Sequence, residues 1–167
     1  NQTINGTLTV SAGTAAAYRI MLRSDTVGAT RTLTCAAVSF TDTDFRDITI
    51  AGAASPASGT RLGDDKGNSG ITFDAAKTVY YRQTGSANWG ATGSGSWSAT
   101  SGGSADSTMF PLAQDTAVFP AATYPASGST TTVNSDYPIG TIDMSLRTSN
   151  TMTLATSTFA VGLFGNW

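Results

Sequence analysis

The sequence contains no histidine and no glutamate, and it has a single cysteine. Without histidine, a serine or cysteine triad of the usual kind, a histidine general base and a histidine-ligated zinc or iron site are all excluded. Cys35 cannot form an internal disulfide, and its place in a strand-like run favours a small buried residue. All eleven acidic residues are aspartates, and the nine basic residues are seven arginines and two lysines.

Charge is also scarce, at 12% of residues with a net charge of −2, about half the charged content of an ordinary globular domain. No basic cluster is present, so we expect no nucleic-acid partner. The longest apolar stretch, 15–18, is far too short to span a membrane, and we expect no membrane insertion. The polar opening at Asn1 predicts that no signal peptide is present.

Small residues take the place of the missing types. Thr (29), Ala (24), Ser (19) and Gly (18) together make up 90 of 167 residues. Threonine suits a pleated surface and glycine permits turns, whereas most strong helix formers are rare or absent. The 40% apolar content and low net charge argue against disorder. We therefore predict an ordered, all-β chain.

Short runs of alternating apolar and polar residues recur throughout the chain, for example at 6–10, 47–50 and 77–81. Val133 and Met152 are 19 residues apart, as are Ile142 and Val161. Interleaved strands at such intervals are typical of a β-solenoid whose coils feed separate parallel sheets. The fold prediction is a right-handed parallel β-helix-like solenoid, and an antiparallel β-sandwich is the alternative.

The domain prediction is a single β-rich domain over 1–167 with two long loop excursions, at about 51–69 and 85–111. The second excursion is rich in Gly and Ser yet contains Trp89 and Trp97. A flexible linker has no use for tryptophan, so we expect these two side chains to anchor an ordered loop.

Two groups of aspartates are candidate oxygen ligands for a metal: Asp42 with Asp44, and Asp64 with Asp65. The spacing of an EF-hand is missing, and such turns usually cap their own backbone, so we predict no metal site and no cofactor. A pair of carboxylates about 5–10 Å apart could also act as a glycosidase or lyase. Asp115 and Asp143 are conceivable as such a pair, but nothing in the sequence selects them, and the prediction is a non-enzymatic protein.

Aromatic side chains are the candidates for carbohydrate binding, because amphipathic rings stack on sugars where binding is shallow. These candidates are Trp89, Trp97, Tyr81 and Tyr124. The alternative is that both tryptophans anchor the loop and that Tyr80 alternates into the core, which leaves Tyr81 facing outward.

Repeated Thr-x-Thr motifs raise the possibility of an outward threonine ladder. The motifs begin at Thr7, Thr32, Thr41, Thr130 and Thr151. Their irregular spacing predicts no ladder, and the threonines are attributed to strand propensity.

Five stretches of the chain form a distinctive set: 45–56, 67–73, 110–119, 139–145 and 164–167. Together they resemble repetitive segments of large structural proteins from tailed bacteriophages of aquatic origin. The resemblance covers about two-thirds of the chain, from Phe45 onward. Segments of that family usually continue past the Gly-Asn-Trp ending, so a fragment of a longer protein is one expectation for this chain.

The resemblance implies a β-helical virion component such as a tail fibre, tail spike or capsid-attached fibre. It also implies a homo-oligomer, with a trimer typical of fibres and spikes, contacts with other virion proteins, and attachment to host surface glycans. Two further hypotheses stay open: a polysaccharide-binding or polysaccharide-degrading spike domain, and a bacterial surface adhesin or filament subunit.

Overall fold

A computed structural model describes residues 1–13, 16–91, 95–121, 124–148 and 150–167. The protein is all-β, with 42% of residues in strands and largely parallel sheets. The described residues contain one short 3-10 turn, Gly52–Ala54, and no α-helix. The all-β prediction is therefore confirmed. No helix in these ranges has the length and apolarity needed to cross a membrane.

Contacts within the chain group into two compact units. Unit 1 comprises Asn1–Thr14 and Tyr18–Ala75, and unit 2 comprises Ala15–Ala17 and Ala76–Trp167. The single domain over 1–167 stays a prediction.

Unit 1 is built from two parallel sheets. Its strands are β1 (Gln2–Ser11), β2 (Ile20–Arg23), β3 (Arg31–Thr41), β4 (Thr43–Arg46), β5 (Ile48–Ala51), β6 (Gly59–Thr60) and β7 (Gly63–Asp64). One sheet has the order β1-β3-β5, with β6 also on β3, and the other has the order β2-β4-β7. Thus the region predicted as an excursion at 51–69 contributes two short strands to these sheets.

The core of unit 1 follows from the alternation of its strands. Ile48 and Ile50 in β5 point inward, two residues apart, as period-2 alternation requires. Phe40 and Phe45 meet edge to face, with ring centroids 5.2 Å apart. The buried apolar cluster consists of Phe40, Phe45, Ile48, Ile50, Ala57 and Leu62.

Unit 2 is built from short strands, most of which pair with a strand from a later segment of the chain. Its strands are β8 (Thr78–Tyr81), β9 (Ala87–Asn88), β10 (Trp97–Ser98), β11 (Thr116–Val118), β12 (Thr130–Thr132), β13 (Tyr137–Ile139), β14 (Thr141–Asp143), β15 (Thr153–Ala155) and β16 (Val161–Leu163). The sheets have the orders β10-β8-β11-β14, β15-β12-β9 and β13-β16. Among the described strands only β10 with β8 is antiparallel, which does not fit an antiparallel sandwich.

The register of unit 2 separates an apolar column from a threonine column. The inward column consists of Val79, Ala117 and Ile142, all buried. The neighbouring outward positions are Thr78, Thr116 and Thr141. Small and branched side chains on the inner face allow the three strands to pack as one layer.

The spacing predicted from the sequence is not the spacing that the sheets use. Residues in register are Ala117–Ile142, Thr131–Leu154 and Tyr137–Val161, offsets of 25, 23 and 24 residues. The 19-residue interval in the sequence therefore does not give the offset between paired residues of neighbouring strands. The turns between strands are longer than the apolar pattern indicates, since Gly, Ser and Thr in turns leave no periodic signal.

Candidate functional site

Three of the four predicted sugar-binding aromatics lie in the core of unit 2. Tyr81, Trp89 and Trp97 have relative exposures of 0%, 0% and 1%. The ring centroids of Trp89 and Trp97 are 4.8 Å apart, and those of Tyr81 and Trp97 are 5.3 Å apart. In this arrangement their rings contact one another and Phe119, and they are not available for stacking on a surface ligand.

Local pairing explains how the Gly- and Ser-rich segment carries its tryptophans inward. Trp97 in β10 pairs with Tyr81 in β8, and its indole Nε1 donates a hydrogen bond of 2.9 Å to the carbonyl oxygen of Trp89. Burial raises the pKa of the Tyr81 phenol. The alternative in which Tyr80 faces the core and Tyr81 faces outward is reversed in the structure. Tyr81 faces the core, and Tyr80 is half-buried.

Tyr124 is the candidate that stays partly exposed. The Arg82 guanidinium lies 4.2 Å from the centroid of its ring, a cation–π contact that covers one face. Arg147 donates hydrogen bonds to the carbonyl oxygens of Pro120 (2.9 Å), Tyr124 (3.4 Å) and Pro125 (2.9 Å). Two arginines therefore hold Tyr124 in place at the surface of unit 2.

Replacing Arg147 with lysine is expected to loosen this surface. An ammonium group cannot reproduce a planar fork that reaches three carbonyl oxygens, so we expect a loss of about 1–2 kcal/mol. Thermal unfolding of unit 2, followed by tryptophan fluorescence, measures the change. An unchanged melting temperature in Arg147→Lys would show that the three hydrogen bonds contribute nothing net.

The candidate metal ligands of unit 1 lie around the sheet β2-β4-β7. The register places Met21, Asp44 and Gly63 side by side on one face, and Leu22 and Phe45 on the other. A Cβ on Gly63 would overlap the Asp44 carboxylate, so glycine is needed for this close approach.

Asp44 is held by an arginine that the sequence did not single out. The Arg19 Nε and Nη2 atoms donate to the two carboxylate oxygens of Asp44 at 2.8 and 2.6 Å. Nη2 also donates to the carbonyl oxygen of Arg61 at 2.8 Å. The side chains of Arg19 and Asp44 are almost fully buried, at 2% and 0% exposure respectively. Burial raises the pKa of Asp44, and the Arg19 guanidinium opposes that shift.

Asp42 has an arginine of its own. The Arg61 Nε and Nη2 atoms donate to its two oxygens at 2.6 and 2.8 Å, and Arg19 Nη1 lies 3.5 Å from one of them. The hydrogen bond to Asp42 raises the pKa of Arg61. Both carboxylates are thus neutralised by guanidinium groups.

Asp64 and Asp65 differ in their surroundings although they are adjacent. Asp64 Oδ1 accepts hydrogen bonds from the backbone N–H of Lys66 (3.0 Å) and from Asn68 Nδ2 (2.8 Å), and so caps its own turn. Asp65 is buried, its Oδ1 has no hydrogen-bond partner, and burial raises its pKa to about 8. In the described ranges, no group of three or more Cys, Asp or Glu side chains is placed to hold a metal ion.

The aspartates considered as a carboxylate pair, Asp115 and Asp143, serve separate turns. Asp115 accepts hydrogen bonds from the backbone N–H groups of Lys77 (2.9 Å) and Leu112 (2.8 Å), and from Lys77 Nζ. Asp143 Oδ1 accepts from the backbone N–H of Ser145 at 2.8 Å, and hydrogen bonding to Ser145 lowers its pKa. A lowered pKa suits a turn-capping carboxylate and does not suit a general acid.

Sequence reasoning missed Arg19 and Arg61, which organise the ionic cluster. The one usable signal was alternation, since placing Tyr18, Ile20 and Leu22 on one face puts Arg19 on the other. Comparisons with models of known protein families, with curated proteins and with solved structures find no match.

Proposed function

We propose that the chain is a non-enzymatic structural module of a phage virion, built as a β-solenoid and acting in the assembly of a fibre, spike or decoration protein. The observation that carries the proposal is the order of strands in unit 2. After β11, β12 and β13 the chain returns to pair β14, β15 and β16 with them, in the same sequence and in parallel. This recurrence is typical of a solenoid coil.

The use of polar side chains supports a structural role. Asp42, Asp44 and Asp115 are ion-paired and buried, and Asp64 and Asp143 cap turns. The buried aromatics of unit 2 pack together in one apolar cluster. Since these groups are occupied in holding the fold, the working surface of the module consists mainly of neutral side chains and strand edges, which suit contacts with neighbouring subunits.

The experiment that tests this proposal locates the protein. Mass spectrometry and immunogold labelling of purified particles, from a phage that carries this sequence, are expected to find the chain in the virion at a fixed stoichiometry. Incubation with host capsule or lipopolysaccharide is expected to release no reducing ends. Finding the chain only in lysed host cells, or cleavage of polysaccharide that an Asp→Asn change abolishes, would contradict the proposal.

The proposal includes self-association through the last strands of unit 2. In the described residues, β15 and β16 each pair with one strand only, whereas the other edge of β14 already donates a hydrogen bond from Ile142 N–H to the carbonyl oxygen of Asn166. Several large apolar side chains near them are exposed: Leu146 (51%), Phe159 (41%), Leu163 (40%) and Trp167 (71%). Exposed apolar groups beside unpaired strand edges are typical of an association surface.

Replacing Phe159 and Leu163 with aspartate is therefore expected to reduce the oligomer to a monomer, because two charges would have to be desolvated at the contact. Size-exclusion chromatography with light scattering measures the mass. The matched control, Thr156→Asp with Thr158→Asp, adds the same charge at exposed positions nearby and is expected to stay oligomeric. A monomeric parent chain would contradict the prediction.

A further inference from the structure

The sheet β2-β4-β7 of unit 1 buries ionic side chains on one face and apolar ones on the other. Phe45 faces the apolar cluster, whereas Asp44 and its partner Arg19 lie on the opposite side and are equally inaccessible. Burying charge is costly unless each charge has a partner. Whether each buried carboxyl group near this face has a cationic partner therefore indicates whether it can be ionised there.

The buried carboxyl groups near this sheet outnumber the guanidinium groups that pair with them. Asp44 pairs with Arg19, and Asp42 pairs with Arg61. Asp47 accepts a hydrogen bond of 2.9 Å from the backbone N–H of Gly28 and lies 3.9 Å from Arg46 Nε. The fourth, Asp65, takes part in no ion pair with these arginines and is only 2% exposed.

Asp65 is nevertheless held firmly in this position. Its backbone N–H donates a hydrogen bond of 2.8 Å to the carbonyl oxygen of Phe45, which continues the ladder of β4 and β7 by one residue. Its side-chain Oδ1 is buried without a hydrogen-bond partner. An ionised carboxylate here would have neither water nor a matched cation, whereas a neutral carboxyl group is tolerated.

The charged groups that face Asp65 come from several elements of unit 1. Asp44 and Asp64 favour the neutral form, and Arg19 and Arg46 favour the ionised form. Burial is the largest effect, and together these influences raise the pKa of Asp65 to about 8. The carboxyl group thus carries its proton at neutral pH.

We infer that Asp65 is a proton-dependent latch: the turn after β7, which the Asp65 backbone N–H attaches to Phe45 of β4, stays in place while the buried carboxyl group is protonated and is released when the proton is lost to solvent. This adds an element that weakens as pH rises toward 8 to a module whose proposed role is structural. It does not depend on that role, since it rests on the buried carboxyl groups alone.

The direction of the pH dependence follows from linkage. In the unfolded chain Asp65 would lose its proton near the ordinary aspartate pKa of 3.8, whereas in the folded unit it keeps the proton up to about pH 8. The folded state therefore binds more protons between these values, and its stability falls as pH rises through that window. One proton corresponds to an opening equilibrium that rises at most about tenfold per pH unit, and levels off above pH 8.

Carboxyl carbon chemical shifts of the full chain test the latch directly. The titration is expected to show a carboxyl signal that changes near pH 8 and is missing from Asp65→Asn. This measurement needs only the parent chain if the variant does not fold. Eleven aspartates that all titrate below about pH 6 would overturn the inference.

Amide hydrogen exchange tests the release of the turn. In the parent chain, protection of the Asp65 amide, corrected for intrinsic exchange, is expected to fall between pH 5 and 8. In Asp65→Asn it is expected to be constant. The control Asp64→Asn keeps an Oδ1 acceptor for Lys66 and Asn68 but removes one of the charges that favour protonated Asp65, so it is expected to keep the pH dependence of the parent with its upper end at a lower pH. Equal pH dependence in the parent and Asp65→Asn would overturn the inference.

Discussion

Replacing Arg19 with methionine is expected to lower the free energy of unfolding of unit 1 by about 3–5 kcal/mol, because it leaves the buried Asp44 carboxylate without its cation and removes a second cation from beside Asp42. Arg19 donates to both oxygens of Asp44, lies 3.5 Å from Asp42 and donates to the carbonyl oxygen of Arg61. Because methionine fills a volume similar to that of arginine, the loss of stability reflects the missing charge more than lost packing.

Unfolding of unit 1 can be followed separately from unit 2. All three tryptophans, Trp89, Trp97 and Trp167, belong to unit 2, so their fluorescence reports that unit. Backbone amide signals of β4 and β5 report unit 1 in the same denaturant titration. Arg19→Met is expected to shift the amide transition and to leave the tryptophan transition in place.

Two controls separate the loss of a cation from the loss of a side chain. Arg23→Met removes an exposed arginine from the neighbouring strand β2 and is expected to change stability by less than about 0.5 kcal/mol. The double variant Arg19→Met, Asp44→Asn removes the stranded charge while keeping the Asp42–Arg61 pair, and is expected to recover part of the loss. An Arg19→Met protein as stable as Arg23→Met would disprove the role of the cluster.

Replacing Trp97 with alanine is expected to destabilise unit 2 by about 3–5 kcal/mol. The side chain is 1% exposed, contacts Tyr81, Trp89 and Phe119, and donates the hydrogen bond that satisfies the Trp89 carbonyl oxygen. Alanine would leave a large cavity at the centre of the aromatic cluster and a buried carbonyl oxygen without its donor.

Chemical denaturation followed by far-ultraviolet circular dichroism measures this loss without depending on the removed fluorophore. Trp167→Ala is the matched control, because that side chain is 71% exposed, and we expect a change below about 0.5 kcal/mol. Trp97→Phe is expected to fall between the two, since it keeps ring contacts but not the hydrogen bond. Equal losses at Trp97 and Trp167 would show that the cluster is not the core of unit 2.

Local patterns predicted the strands well where one face is apolar. The alternation at 47–50 and 77–81 corresponds to β5 and β8, and the run at 140–144 contains β14. Such strands could be predicted because period 2 is a property of neighbouring residues. The absence of Glu and scarcity of Leu likewise predicted correctly that helices would be missing from the described residues.

Pairing between strands could not be predicted in the same way. Thr78, Thr116 and Thr141 lie in register, yet the intervals between them are 38 and 25 residues. The Thr-x-Thr motifs gave no indication of this column. Turn lengths set these intervals, and turns rich in Gly and Ser tolerate many lengths at little cost.

The sequence by itself determined the class of the protein. It is an all-β chain, low in charge and without histidine chemistry, and its two tryptophans in a Gly- and Ser-rich segment indicated that this segment is ordered. Only the tertiary structure decided which polar residues are buried. Arg19 meets Asp44 across 25 positions and Arg61 meets Asp42 across 19, so no local pattern records either pair. Alternation assigns a side chain to a face of its strand, but whether that face is covered depends on segments distant in sequence.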